Sequence, residues 1–199
     1  MASDLKTAIL KRRTYYDISD KSAISDSAIR EIIDYAVKHT PSAFNSQSAR
    51  VVLLFGENHK KLWEIVRDSL RNIVPANSFQ STNDKINSFA AGHGTVLFYE
   101  DEAVIEKLQT DFPLYKDAFP GFSMNSAGML QYVVWTMLRD EGLGASLQHY
   151  GNLIEAEAAK TWNLDAKWRL IAQMPFGIPN SEPDAKDFQP LNQRVKVFA

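Results

Sequence analysis

Three cations stand in a row at Lys11, Arg12 and Arg13, and the hydroxyl of Thr14 follows at once. Guanidinium forks match phosphate oxygens two at a time, and a threonine hydroxyl adds a donor, so the run suits an anion clamp. It equally suits a helix C-terminus, where cations complement the macrodipole. A nucleic-acid arm is a third reading. The next stretch with chemistry is TPSAFNSQ, residues 40–47. Its serine, asparagine and glutamine side chains fit a polar heterocycle, and the same residue types form turns ahead of a strand. In GLGASLQHYG, residues 142–151, the glycines either turn a helix into a strand or leave a strand end whose backbone N–H groups face a ligand. Phe112, Tyr115, Phe119 and Phe122 are either the wall of a cleft for flat rings or ordinary core.

Other chemistries are missing. There is no GxGxxG, no P-loop, and no GxSxG, since GFSMN fails at its fifth position. The histidines at 39, 59, 93 and 149 are scattered without metal-ligand spacing, so no metal is expected. The absence of cysteine excludes disulfides and thiol nucleophiles. A formal charge of −2 argues against a general nucleic-acid or anionic-membrane binder, so any anion site must be local. No apolar run reaches the roughly 18 residues of a membrane span. The first residues carry no export-like apolar region, and a cytoplasmic location is the expectation. Glu100, Asp101 and Glu102 read as a solvated strand end.

The elements that must position these groups follow from periodicity. Helical spacing predicts helices over 4–13, capped by Ser3 or Asp4, over 26–38, stopped by Pro41, and over 58–73. Apolar runs predict strands at 50–55, 94–100 and 168–177. Residues 74–92 read as loops with a short helix, and 101–122 as an aromatic-rich loop. Residues 126–142 are apolar almost all round, which predicts a central buried helix ended by Gly142. Asn152 and Glu155 have capping-box spacing at the head of the next helix. The alternating tail at 191–199 reads as a strand joining a sheet, in this chain or a partner's. The whole, residues 1–199, is expected to be one α+β domain: a small mixed, mainly antiparallel sheet around a central buried helix, with flanking helices.

The order of Arg-Arg-Thr, Pro-Ser-x-x-Asn-x-Gln, Ala-Ser-Leu-Gln-His-Tyr and a closing Arg-Val-Lys resembles the nitroreductase-like FMN-dependent oxidoreductase family, in a short branch of the same length. The resemblance implies a homodimer with FMN at the interface, reduced by NAD(P)H and reoxidised by nitroaromatic or quinone acceptors in a ping-pong cycle. It implies that Arg12, Thr14 and Arg194 clamp the FMN phosphate, with Arg13 close by. Pro41, Ser42, Asn45 and Gln47 match a loop that reaches the flavin, commonly from the partner subunit. Leu147, Gln148 and His149 match a strand whose backbone lies by the flavin edge. No acid or base of the chain's own is required. There are two departures from the family pattern: Ser48-Ala49 replace a common Pro-Trp, and Tyr16 stands where some relatives carry a lysine. A flavin-holding sensor or sequestering protein would share every one of these motifs.

Overall fold

The computed structural model describes residues 4–198. Helix α1 (Leu5–Lys11) starts at Asp4, whose carboxylate accepts the Thr7 N–H at 3.1 Å; the alternative cap, Ser3, lies outside the described residues. Helix α2 (Asp26–His39) is capped by Ser25, which accepts the Ala28 N–H, and it ends at Thr40. Pro41 restricts the residue before it to extended backbone, which stops the helix there. Then follow β1 (Ala49–Phe55), α3 (Gly56–Arg71), α4 (Phe79–Ala90), β2 (Gly94–Asp101), α5 (Glu102–Asp111), α6 (Phe119–Asp140), β3 (Gly144–Ala145), α7 (Gly151–Trp162) and β4 (Trp168–Gly177).

The four strands form one sheet in the order β1-β2-β4-β3, and every strand pair is antiparallel. Among the described residues, parallel pairing is confined to a single bridge between Thr14 and Ala145. Successive residues of β2 serve opposite faces, as the two-residue period of a strand requires. Val96 and Phe98 pack with α2 and α6, whereas Leu97 and Tyr99 pack with α3, α4 and α7. Being covered on both faces, β2 reads as a continuous apolar run. The fold is therefore α+β, with a helical layer on each side of the sheet. Among the described residues no helix is long and apolar enough to cross a membrane.

Several expectations need correction. Residues 101–122 are not a loop: Asp101 caps α5 through the Ala103 N–H, and α6 begins already at Phe119. The short helix expected within 74–92 is present, as residues 79–90. Asn152 and Glu155 make no capping box; Tyr150 is the N-cap, and Glu155 instead accepts the Leu170 N–H at 2.6 Å, tying α7 to β4. Glu100 is not solvated but 2% exposed. Helix α6 is not buried all round, because Met124, Met129 and Tyr132 are each more than 40% exposed along one stripe. The tail forms no strand among its described residues, 191–198; it makes one 3-10 turn at Leu191–Gln193 and lies exposed. Gly142 does follow the end of α6 with φ +85°, the left-handed region where glycine is favoured.

Candidate functional site

The cationic run sits where α1 ends. Arg12 is the C-cap residue, its N–H still bonded to the Ala8 carbonyl, and the chain then becomes extended. Thr14 bridges to Ala145 and the Tyr15 N–H donates to the Ala145 carbonyl at 2.9 Å, so the segment lies along β3. The same carbonyl accepts the Trp135 Nε1–H at 3.2 Å from α6. Trp135 thereby becomes a fixed platform, and the Arg12 guanidinium lies over its ring at 4.4 Å, with Tyr132 at 5.8 Å. Arg12 Nε is buried with no hydrogen-bond partner, and among the described residues no carboxylate pairs with Arg12. A cation held flat against an indole and left without a counterion is ready for an anion.

Arg13 is already engaged. Its Nη2 donates to the Asp184 carbonyl at 2.6 Å. The segment 180–184 is strapped across residues 13–17: Asp17 accepts from Asn180 and Ser181, and the Tyr15 hydroxyl donates to Glu182 at 2.9 Å. Burial, and then the bond to Glu182, push the Tyr15 hydroxyl above its ordinary pKa, which keeps it a donor. Arg194 lies on the exposed tail and forms no ion pair among the described residues.

Pro41, Ser42, Asn45 and Gln47 come together along one cavity of about 550 Å³, with Ser126 and Leu130 of α6 on its far wall. The loop is unusual in its backbone. Phe44, Asn45 and Gln47 all have φ between 49° and 59°, a left-handed conformation that costs a non-glycine residue roughly 1–2 kcal/mol. Three such residues in four positions persist only because their surroundings hold them. The Gln47 N–H donates to Ser42 Oγ at 3.0 Å, and Arg50 donates to the Gln47 carbonyl at 2.8 Å while pairing with Asp101 at 2.9 Å. Phe44 is gripped by Phe112 and Phe119, at 5.0 and 5.2 Å between ring centres, with Tyr115 at 5.9 Å. Of the four aromatics singled out in the sequence, Phe119 is core, Phe112 and Tyr115 are exposed beside Phe44, and Phe122 touches Phe119 alone among these rings.

Residues 147–149 run antiparallel beside β4. Gln148 exchanges both backbone bonds with Gln173, at 2.7 and 2.9 Å. Its backbone is therefore spent inside the sheet, and it is buried. The alternation of an antiparallel strand turns the flanking N–H groups of Leu147 and His149 the other way, and neither is used in a backbone bond among the described residues. Those two are the available backbone donors of the triplet.

The candidate residues thus fall into two groups. Arg12 and Thr14, with β3 and the 147–149 segment, form one; the 41–47 loop forms the other. Helix α6 separates them. Ser126 faces the loop cavity and Trp135 carries Arg12, nine residues and about two and a half turns further on, which is the opposite face. No motif in the sequence marked Trp135, Tyr132 or Phe44 as parts of the site. Phe44 could have been found inside TPSAFNSQ, as the one large apolar side chain in a polar turn.

Comparison with known proteins gives a consistent picture. Residues 9–178 match the Nitroreductase family. The chain is 36% identical over 200 residues to HBN1 of Saccharomyces cerevisiae, covering 100% of this chain and 98% of that one. It is 32% identical over 193 residues to nitroreductase FRM2 of the same yeast, covering 96% and 95%. Nitroreductase CinD of Lactococcus lactis, solved with 4-nitrophenol, superposes with a TM-score of 0.90 at 37% identity over 98% of this chain and 100% of that chain. A protein of Desulfovibrio desulfuricans in complex with FMN shares the fold, with a TM-score of 0.70 at 19% identity and full coverage of both chains.

Proposed function

Since the chain belongs to the nitroreductase family, we propose that it is an FMN-dependent oxidoreductase, working as a homodimer that carries reducing equivalents from NAD(P)H to nitroaromatic or quinone acceptors. The observation that carries this reading is the uncompensated Arg12, held on Trp135 beside Thr14. A phosphate dianion supplies the missing counter-charge, and Arg194, from the exposed tail, completes the clamp. The partner copy's loop supplies Pro41, Ser42, Asn45 and Gln47, because α6 keeps the two groups apart within one chain. Leu147 and His149 offer their outward N–H groups to the ring edge. Held by these residues, FMN would supply the redox chemistry that links a nicotinamide donor to the acceptor.

The residues around it orient and exclude water. Phe44, Phe112 and Tyr115 form a partly exposed aromatic wall against which flat rings can stack. CinD's complexes with 4-nitrophenol and chloramphenicol support aromatic acceptors here. One cleft then serves donor and acceptor in turn, since the chain has no separate dinucleotide fingerprint. The test is steady-state kinetics with NADPH and a quinone. Parallel double-reciprocal lines are expected; intersecting lines mean two pockets, and absence of turnover would leave only a flavin-holding sensor.

A further inference from the structure

Glu100 is buried and takes no part in the chemistry proposed above. Glu100, at the end of β2, accepts the hydroxyls of Ser48 and Ser123 on the same oxygen, Oε2, each at 2.6 Å. Its other oxygen, Oε1, is buried with no partner. A carboxyl sealed from water with one oxygen unsatisfied costs the fold free energy, so its presence needs a reason beyond packing. The reason lies in what it holds. Ser48 is wholly buried and directly follows the left-handed Gln47. The same strand end grips the same point twice more: the Asp101 N–H donates to the Ser48 carbonyl at 2.9 Å, and the Asp101 carboxylate pairs with Arg50, which bonds the Gln47 carbonyl. Ser123 stands on α6 one turn before Ser126, and it is Ser126 that lines the opposite wall of the loop cavity. Glu100 therefore pins the loop and α6 to a common oxygen.

We propose that Glu100 is a positioning residue for the flavin-contacting loop. Its carboxyl fixes Ser48, and through it the strained backbone of Asn45 and Gln47, so that the loop's polar side chains are set in place before a cofactor arrives. Preorganisation of this kind improves affinity by removing the cost of ordering on binding. The inference rests on the proposed contact between this loop and FMN.

The experiment compares wild type, Glu100→Ala, Glu100→Gln, Ser48→Ala and a control, Ile154→Ala, which opens the other core layer. FMN affinity is read by fluorescence quenching, kcat and KM with a quinone, and stability by thermal unfolding. Glu100→Ala and Ser48→Ala should each weaken FMN binding about tenfold, the loss of one charge-assisted tether. Glu100→Gln keeps an oxygen for both hydroxyls and should stay within about threefold of wild type, with kcat preserved. The control should lose stability and keep its FMN affinity. Should Glu100→Ala not fold, Ser48→Ala decides. Unchanged FMN affinity in the folded alanine variants, or an equal loss in the control, overturns the proposal. So does a Glu100→Gln variant with intact FMN affinity and collapsed kcat, which would make the carboxyl a proton-transfer group. A wild type that takes up no FMN removes the functional reading itself, and this inference with it.

Discussion

Arg12 and Arg13 are neighbours in sequence and do different work. Arg12 lies on Trp135 with an unpaired Nε, whereas Arg13 is held by the Asp184 carbonyl. Arg12→Ala should therefore cost about 2–5 kcal/mol of FMN affinity, the range for stranding one partner of a desolvated charge pair. Arg13→Ala should cost clearly less, and Arg194→Ala should resemble Arg12→Ala. Retained flavin after dialysis of the three variants measures all of this, and equal losses for Arg12 and Arg13 would contradict it. The sequence displayed the cations and the polar loop plainly, because both are short local runs. It could not display which arginine stays free: residue 184 and residue 135 choose between them, and neither is near in the chain.

At the level of elements, strands and amphipathic helices were legible wherever one face meets the core. Helix α5 was not. Pro113, Pro120 and the aromatics beyond it made 101–122 read as a loop, while Val104, Ile105 and Leu108 are too few to show a strong period. Glu155 likewise looked like a capping residue because its true partner, the Leu170 N–H, comes from another element. The junction of α3, α4 and β2 holds a further buried group. His59 of α3 contacts Thr95 Oγ1 at 2.8 Å and the Ala90 carbonyl at 3.2 Å, and burial lowers its pKa from 6.5 to about 4. The unfolded chain thus binds the proton more readily than the native one. Stability should be unaffected by this group above pH 6.5 and should fall as pH drops from there towards about 4, by about 3 kcal/mol in all. Urea unfolding across that window checks the slope, and His59→Asn should flatten it. An unchanged midpoint between pH 7 and pH 4.5 in wild type would contradict the burial argument.

For the molecule as a whole, two surfaces lack a covering in the single chain. Strand β1 is an edge strand with one free side, and the tail exposes Leu191, Val195, Val197 and Phe198. The stripe of Met124, Met129 and Tyr132 on α6 is the second. An open edge and an alternating apolar tail suit each other across a two-fold axis. Removing residues 191–199 should therefore weaken both dimer and flavin binding, since Arg194 leaves with the tail. Sedimentation of the truncated chain as an intact, flavin-loaded dimer would refute this. The alternation of the tail reads as a strand in the sequence, yet residues 191–198 form none in the single chain and make only the 3-10 turn at Leu191–Gln193. A flavin-bearing enzyme with one cleft used in turn must pass a single anaerobic titration. The purified protein, incubated with FMN, is titrated with NADPH and then with a nitroaromatic while its flavin absorbance is followed. One flavin per chain is expected, with absorbance bleached by NADPH alone and restored by the acceptor alone. A colourless protein that refuses FMN, or a bound flavin that neither compound alters, would contradict it.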